Sequence, residues 1–367
     1  MKKILYVTTV SRTINAFLIP HINMLLDKGY TVDCACSIDK EVDVDLINKN
    51  INIYNIPFSR NPLNPNNYTA FKELIKIQEK NNYDIIHVHT PVASVYGRLL
   101  KVKFPKLKTI YTVHGFHFHK GAPFINWAIY YPIEKIMSKF TDEIITINKE
   151  DYERALTFNI DKVHKLNGVG VDFNSYNSDD FIKDNIREKL GLSDDDFVIL
   201  MIAEVNKNKN HKQIIEAVKI LKSRNVDVKV VCAGDGVLLE CIREEVKKEN
   251  LEKNILMLGF RTDIDDLIAS CDIGVLMSYR EGLPKNIMEL MAGKKPVIGT
   301  DIRGIRDLVI DGYNGFLVKV EDSEDTADKI ELLKNDRKML DKFSENAYKF
   351  VHDYSIDVVN EQLEYIY

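Results

Sequence analysis

Two carboxylates of the sequence, Glu281 and Glu289, lie on either side of a Gly-Leu-Pro-Lys-Asn turn. Pro284 suits the first position of a helix, where its missing N–H costs no hydrogen bond. The spacing therefore predicts a helix over 285–291, with Gly293 just past its end as a C-terminal cap. The free N–H groups of the first helical turn, at the positive end of the helix dipole, are suited to bind an anion.

The two carboxylates and this anion site together indicate a type of ligand. Lys285 adds a cation beside the helix start, Glu289 lies about one turn inside the helix, and Glu281 lies on the loop above it. A ligand with phosphate in the middle and hydroxyls at both ends fits such a site, and a nucleotide sugar is one. From this stretch alone, a surface helix with two solvated glutamates is the alternative.

The composition indicates two domains. A chain of 367 residues with 45% hydrophobic content is long enough for two separate cores. The apolar run at its start is too short for a signal peptide, and no run is long enough to span a membrane, so we expect a cytoplasmic protein. Its cysteines are odd in number and lie mostly in apolar contexts. We predict five buried thiols, without disulfides or zinc: Cys34, Cys36, Cys232, Cys241 and Cys271.

The charge is distributed unevenly along the chain. Residues 1–170 hold 22 Lys and Arg against 16 Asp and Glu, and the remainder holds 28 against 39. The basic first half favours an anionic acceptor or an anionic membrane surface, and ordinary scatter of charge is the alternative. No dense basic cluster or nucleic-acid module is present, so we expect no nucleic-acid partner.

Strand-like apolar runs alternate with helical periods along the chain, and the pattern restarts once. This alternation predicts an α/β protein with parallel, doubly wound sheets covered on both faces. We place the domains at 1–175 and 176–349. A last helix, over 342–367, can belong to either domain, and its part from about 350 is the part expected to pack back on the first. Ligands of such folds bind at the carboxyl ends of the strands, so two facing domains imply a cleft.

Further segments stand around the two glutamates in a fixed order. They are "AEVNKNKNH" (203–211), "AGDG" (233–236), "LGFRTDIDDLIASCDIGVLMS" (258–278), "GKKPVIGTDIRGIRDLV" (293–309) and "DGYNGFLV" (311–318). With the E-x₇-E element from Glu281 to Glu289, this order resembles glycosyltransferase family 4, the retaining nucleotide-sugar transferases of GT-B fold. In the first half, "DIIHVHTP" (84–91) and "TVHGFHFHKGAP" (112–123) are similar to the branch that builds bacterial capsular polysaccharide and exopolysaccharide.

The resemblance implies two Rossmann-like domains, the first binding the acceptor and the second the nucleotide sugar. It implies that Glu289 accepts hydrogen bonds from ribose hydroxyls and that Glu281 touches the sugar near its reacting carbon. Lys209 matches the lysine that neutralises the departing diphosphate. His114 matches a histidine that faces the donor sugar across the cleft. The other donor-binding positions implied are Gly282, Leu283, Lys285 and Asn286 near the diphosphate and sugar, and Gly259, Phe260 and Arg261 at the base.

The sequence departs from the family pattern in two places. Where the family often has Gly-Arg, this chain has Ala203-Glu204, so the charge is reversed. We place Glu204 and Lys207 among the donor-binding residues. Either Lys207 or Arg12 helps Lys209 at the diphosphate, or Glu204 contacts another group. The glycine-rich loop after the first strand is replaced by the polar stretch 8–13. We assign to the acceptor side the residues Ser11, Arg12, Thr13 and His117.

Two groups of residues allow other interpretations. His87 and His89, like His117 and His119, are expected to share a strand face, with His114 near, as metal ligands would. No cysteine or carboxylate pattern completes a metal site, and a transferase that uses cationic side chains needs no metal, so we expect metal-independent activity. The aromatic and basic segments 124–140 and 101–108 suit a membrane interface, and a core-facing helix with a solvated basic turn is the alternative.

Together these features predict a retaining glycosyltransferase. It would move a hexose or N-acetylhexosamine from a UDP-sugar to a saccharide acceptor carried on polyprenyl diphosphate, in the synthesis of capsule, exopolysaccharide or O antigen. It would act in the cytoplasm, with peripheral association with the inner membrane left open. A nucleotide-sugar 2-epimerase and a non-catalytic UDP-sugar-binding protein of a polysaccharide assembly complex are the alternatives.

Overall fold

The computed structural model describes residues 2–49, 51–176 and 183–367. The chain forms two compact units, one of Met1–Val169 with Ile356–Tyr367 and one of Gly170–Ser355. Each unit contains one fully parallel sheet with helices in the connections. In the described part of the chain, no helix combines the length and the apolarity needed to cross a bilayer.

The first unit has seven strands in the order β3-β2-β1-β4-β5-β6-β7. The strands are β1 (Lys3–Val10), β2 (Thr31–Ser37), β3 (Ile53–Asn55), β4 (Ile85–His89), β5 (Lys108–Val113), β6 (Glu143–Thr146) and β7 (Lys162–Lys165). The helices are α1 (Ser11–Phe17), α2 (Ile19–Asp27), α3 (Val44–Asn48), α4 (Asn66–Asn81), α5 (Pro91–Lys103), α6 (Phe124–Met137), α7 (Lys149–Ala155) and, far along the chain, α16 (Ile356–Glu364).

The first sheet is covered on both faces because its strands are apolar on both sides. In β1, Ile4 and Tyr6 belong to one buried cluster, whereas Leu5 and Val7 belong to another. Successive side chains of a strand point to opposite faces, so one cluster lies on each side of the sheet. The segment that includes Tyr367 completes the first of these clusters.

The second unit has six strands in the order β10-β9-β8-β11-β12-β13. The strands are β8 (Val198–Ile202), β9 (Lys229–Ala233), β10 (Ile255–Gly259), β11 (Ile273–Leu276), β12 (Val297–Thr300) and β13 (Gly315–Val318). The helices are α8 (Lys183–Lys189), α9 (His211–Ser223), α10 (Leu239–Lys248), α11 (Ile264–Ser270), α12 (Lys285–Ala292), α13 (Ile305–Leu308), α14 (Ser323–Asn335) and α15 (Arg337–Val351).

Two predicted segments differ in the structure. The polar stretch 8–13, expected as a loop after the first strand, instead completes β1 and begins α1 at Ser11. The Ser11 hydroxyl is buried there and donates to the Lys40 carbonyl at 2.6 Å. The single last helix expected over 342–367 is two helices, α15 and α16. A short 3₁₀ turn, His352–Tyr354, and the extended residue Ser355 separate them.

The expectation of five buried thiols is wrong for one cysteine. Cys34, Cys36, Cys232 and Cys271 are buried, but Cys241 is exposed. It lies on the amphipathic helix α10, whose buried face is formed by Leu239, Ile242 and Val246. Position 241 falls on the opposite, solvent face of this helix.

Candidate active site

The second sheet reverses its strand order between β8 and β11, which are neighbours in space although far apart in sequence. Loops that leave the carboxyl ends of two such strands diverge and leave a crevice, where α/β proteins bind their ligands. The loop after β8 carries Lys209, and the loop after β11 carries Glu281. Two residues predicted from separate motifs therefore meet at the position where a ligand is expected.

Lys209 and Glu281 form an ion pair, with 2.5 Å between Nζ and Oε1. Both side chains are mostly buried, 20% and 12% exposed, which strengthens their attraction relative to a surface pair. The two loops are also tied through Asn208. Its carbonyl accepts a hydrogen bond from the Tyr279 N–H at 2.8 Å, and its side-chain amide donates to the Arg280 carbonyl at 2.9 Å.

The glycine turn after Glu281 is held from behind by the loop that follows β12. Gly304 has φ +81°, and a Cβ there would lie 2.3 Å from the Gly282 carbonyl oxygen, so only glycine allows this approach. Arg303, which is 6% exposed, donates from Nε to the Glu281 carbonyl at 3.2 Å. The sequence around Arg303 gives no sign of this contact, because the turn lies 22 residues away.

Helix α12 begins at Lys285, as predicted; its N-cap residue Pro284 makes no side-chain cap, and the Ile287 N–H donates to the Asn286 side-chain oxygen at 3.0 Å. Leu283 is buried just before it, and Asn286 donates from its side-chain amide to the Ile202 carbonyl at the end of β8, at 2.6 Å. Lys285 and Glu289 pair across one helical turn, with 3.1 Å between Nζ and Oε1. The helix start is therefore an amide-lined end of a helix beside a lysine and two carboxylates.

Glu289 also lies near a tyrosine that the sequence did not single out. Burial raises the pKa of the Tyr176 hydroxyl, and the neighbouring Glu289 and Asp265 carboxylates raise that pKa further. Burial likewise raises the pKa of Asp265, although a hydrogen bond from Tyr176 opposes this. Tyr176 is 113 positions from Glu289 in sequence, so no local motif joins the two.

The predicted base-pocket residues lie at the end of β10 and in the two positions after it. Gly259, with φ +74°, ends the strand, and its carbonyl accepts the Gly234 N–H at 2.8 Å, which fixes the "AGDG" turn beside it. The Phe260 side chain is 68% exposed. Arg261 is paired with Asp263; their hydrogen bonds lower the pKa of Asp263 and raise the pKa of Arg261.

The residues at and near the departure from the family pattern are exposed or have partners other than Lys209. Glu204 and Lys207 are exposed, on the loop between β8 and α9. Arg12 belongs to the first unit, where its guanidinium pairs with Asp39. A contribution of Lys207 or Arg12 to a diphosphate site therefore stays a prediction.

The first sheet has its own switch point, between β1 and β4, with a cavity of about 640 Å³ beside it. Thr9 donates from its N–H to the Thr90 hydroxyl at 3.0 Å, which joins the ends of the two strands. Thr90 has φ +64°, an uncommon conformation for a β-branched residue that sequence cannot reveal. The cavity lining is mostly apolar and includes Val92, Val95, Tyr96, Tyr130 and Ile133, with Arg60, Thr13 and His117.

Two of the four predicted acceptor-side residues, Thr13 and His117, line this cavity; the other two do not. The Ser11 hydroxyl is taken up by Lys40 and Asp39, and Arg12 points to Asp39. His117 does not lie on a strand as expected, because β5 ends at Val113. It lies in the following loop and stacks on Tyr130, with 4.6 Å between ring centroids.

His114 belongs to a cluster of imidazoles at the end of β4 and β5. Its Nε2 lies 3.1 Å from Nδ1 of His89, and the His89 ring lies 4.3 Å from the His87 ring, between centroids, at a tilt of 32°. Burial lowers the pKa of His114 to about 4 and places the pKa values of His87 and His89 well below the usual range. Among the described residues, no group of three or more His, Cys, Asp or Glu side chains is arranged to hold a metal ion.

Family models and relatives match this chain in both of its halves. The family model described as Glycosyl transferases group 1 matches residues 182–350, and the model described as Glycosyl transferase 4-like matches residues 3–148. A relative from Bacillus subtilis (strain 168), named putative glycosyltransferase EpsD, is 37% identical over 100% of this chain and 96% of its own length.

Two further similar proteins have a name or title that specifies a ligand. An Escherichia coli relative, named UDP-Gal:alpha-D-GlcNAc-diphosphoundecaprenol alpha-1,3-galactosyltransferase, is 29% identical over 77% of this chain and 74% of its own. The crystal structure of Anabaena Alr3699/HepE in complex with UDP and glucose has a TM-score of 0.83 and 19% identity, over 100% of this chain and 99% of that one. The chain belongs to the group 1 glycosyl transferases and is a glycosyltransferase of GT-B fold.

Proposed function

We propose that this glycosyltransferase moves a hexose or N-acetylhexosamine from a UDP-sugar to a saccharide carried on polyprenyl diphosphate. The product would enter the synthesis of capsular polysaccharide, exopolysaccharide or O antigen. The name of the Escherichia coli relative supports both substrates, because it specifies a UDP-sugar donor and a diphosphoundecaprenol-linked acceptor. The Anabaena structure, which contains UDP and glucose, supports the donor class.

The Lys209–Glu281 ion pair at the switch point of the second sheet carries this proposal. When a sugar leaves UDP, negative charge grows on the diphosphate oxygen, and a fixed cation there lowers the barrier more than it stabilises the bound substrate. We assign this role to Lys209, and the start of α12 would contribute backbone N–H groups. Glu281, partnered by Lys209 here, would then accept a hydrogen bond from a sugar hydroxyl.

We propose a reaction with retention of anomeric configuration. The acceptor hydroxyl would attack the anomeric carbon from the face that the diphosphate leaves, so the new C–O bond forms where the old one breaks. The acceptor proton would pass to the departing diphosphate oxygen. Glu289 would hold the ribose, and Glu281 and His114 would orient the sugar; the low pKa of His114 keeps its imidazole neutral at pH 7.

The acceptor is assigned to the cavity of the first unit. Its apolar walls suit the hydrocarbon portion of a lipid-linked substrate, while Arg60, Thr13 and His117 offer polar contacts at its wall. An added charge in the apolar wall, such as Val95→Asp, should raise the KM for the lipid-linked acceptor about tenfold or more. UDP-sugar hydrolysis without acceptor should be unchanged.

The test is a panel of UDP-sugars incubated with a polyprenyl-diphosphate-linked saccharide and followed by mass spectrometry. A mass increase of one hexose or N-acetylhexosamine is expected, and proton NMR of the product should show the anomeric configuration of the donor. Transfer should persist in EDTA, because Lys209 supplies the positive charge. Isomerisation of the donor without acceptor would indicate an epimerase, and UDP binding without any turnover would contradict the proposal.

A further inference from the structure

Helix α6 (Phe124–Met137) carries hydrophobic side chains on both its inner and its outer face. Trp127, Tyr130 and Tyr131 pack on the core of the first unit, and Met137 is buried. The outer face nevertheless exposes large aliphatic side chains. A helix that is hydrophobic all round is normally covered on all sides, so this one has an outer face without a cover in the described structure.

The exposed residues form one continuous stripe. They follow one another at four, three, one and three positions, which keeps them on one side of an α-helix. The helix has 14 residues and is about 21 Å long. We call this the outer stripe of α6: Ile125, Ile129, Pro132, Ile133 and Ile136. Phe124, 84% exposed, extends it at the helix start.

Most charges around the stripe are positive, and a carboxylate that contacts them, Glu150, accepts the Lys120 N–H at 2.6 Å. Lys120, Lys135 and Lys139 are exposed before, beside and after it. The carboxylate of the helix, Glu134, points inward and pairs with buried Arg98 at 2.8 Å. The exposed charge from residue 117 to residue 140 is therefore cationic, which complements an anionic surface.

The basic segment 101–108 is different, although its sequence suggested the same role. Lys101 pairs with Asp142, and Lys103 pairs with Glu79. Lys108 pairs with Glu143 at 2.9 Å. Three of its lysines are thus compensated by carboxylates of the first unit, whereas those around the outer stripe flank an apolar face.

The dimensions of the stripe argue against a second protein chain as its cover. One helix face about 21 Å long and about 10 Å wide offers roughly 200 Å². Stable protein interfaces need about 800 Å² from each partner. A bilayer interface requires no matching shape, since aliphatic side chains enter among acyl chains while lysines remain at the headgroups.

We propose that α6 docks this protein on an anionic lipid bilayer, with the outer stripe inserted at the interface and the three lysines on anionic headgroups. Ile133 belongs both to the stripe and to the lining of the cavity assigned to the acceptor. Docking would thus place that cavity beside the membrane that holds a lipid-linked substrate. Bilayer binding itself is independent of the proposed function and is measured without substrate.

The experiment is flotation of the full chain with vesicles that contain phosphatidylglycerol. The wild type should float, and Ile125→Gln/Ile136→Gln should lower the vesicle-bound fraction at least tenfold. The matched control is Val44→Gln/Ile47→Gln on α3, whose side chains are equally exposed, 61% and 55%, but lie beside Asp43 and Asp45. It should float like the wild type.

Further variants test the charge and the alternative cover. Lys135→Glu/Lys139→Glu should reduce flotation with anionic vesicles and leave the weak binding to phosphatidylcholine vesicles unchanged. Transfer to a detergent-solubilised acceptor should be the same in the stripe variant and the wild type, which separates docking from catalysis. The proposal is overturned if the wild type does not float, if the stripe variant floats equally well, or if light scattering shows a dimer that this variant dissociates.

Discussion

The two sheets carry their candidate ligand sites at equivalent switch points, but the side chains at the two sites differ in charge. At the second sheet, Lys209 pairs with Glu281 and Lys285 with Glu289. At the first sheet, burial keeps His89 and His114 neutral, and the adjacent cavity is mostly apolar. The second site holds two lysine–glutamate pairs in direct contact. The wall of the first site is mostly apolar, and its charged lining residues are Arg60 and Glu134, the latter paired with Arg98.

Strand order fixes where a ligand binds in each sheet, and the loops decide which ligand it is. Paired charges can exchange partners when a diphosphate arrives, because each lysine is already held near the crevice. Neutral imidazoles and aliphatic walls suit a ligand portion without charge. Charge-removing substitutions should therefore harm the second site far more than the first.

The largest effect is expected from Lys209→Ala. Removing the cation that stabilises the departing diphosphate should lower kcat/KM for transfer about 10²–10³-fold. The control is Lys212→Ala on the first turn of α9, whose side chain is 67% exposed and should be dispensable. A Lys209→Ala enzyme with wild-type kcat/KM would remove the distinction drawn between the two sites.

Glu289→Gln should have the next largest effect. A neutral amide loses charge-assisted hydrogen bonds worth about 1.5–3 kcal/mol, which corresponds to roughly a 10–100-fold rise in the donor KM. Steady-state kinetics with varied UDP-sugar would measure it. Glu345→Gln, 70% exposed on α15, is the control and should leave KM unchanged. An unaltered donor KM in the Glu289 variant would place the ribose elsewhere.

Gly304→Ala tests whether the backbone holds the second site. The new Cβ would meet the Gly282 carbonyl, so we expect a loss of about 1–3 kcal/mol in the free energy of unfolding, together with reduced transfer. Gly312 also has a positive φ, +70°, but a Cβ there would meet open space. Gly312→Ala should therefore cost only the backbone strain, about 1–2 kcal/mol. Equal transfer rates in the two variants would show that the contact with Gly282 has no catalytic consequence.

The smallest effect concerns acid stability of the first unit. Above pH 6.5, His89 and His114 are mostly neutral in both the folded and the unfolded state, because burial lowers their pKa in the folded unit. Below that pH the histidines of the unfolded chain bind protons, whereas buried His89 and His114 stay neutral in the folded unit, His114 down to about pH 4. The folded unit therefore loses stability as pH falls. A loss of about 1 kcal/mol would lower a urea midpoint by roughly 0.5 M.

The single tryptophan makes this measurement specific. Trp127 lies in the first unit, so its fluorescence in urea at pH 7 and pH 5 follows that unit, while circular dichroism follows both. The fluorescence midpoint should fall more than any midpoint assigned to the second unit. Identical fluorescence midpoints at the two pH values would contradict the account of the imidazole cluster.

Local signals allowed some elements to be predicted and left others out of reach. The helix predicted over 285–291 is found at Lys285–Ala292, because a proline and a glycine mark its ends. The four-residue strands β7 and β13 are too short to give a period. Cys241 was misread because apolar neighbours in sequence do not define which face of a helix is buried.

The site was predictable where a motif contains the residue and not where contact crosses the chain. Glu281 and Lys209 were identified from separate motifs, but their pairing over 72 positions was not. Arg303 and Tyr176 had no signal, since each acts on a turn or a carboxylate far away in sequence. The positive φ of Thr90 is a property of the folded backbone alone.

The placement of Tyr367 has a consequence for synthesis on the ribosome. Its hydroxyl lies 2.5 Å from that of Tyr6 and also meets His87, so residues from the end of the described chain complete a core that begins with the first strand. The whole second unit is translated in between. At about 5–20 residues per second, roughly 200 residues take about 10–40 s. During that interval the nascent first unit has an open core face, which is the stage at which a chaperone would be most useful.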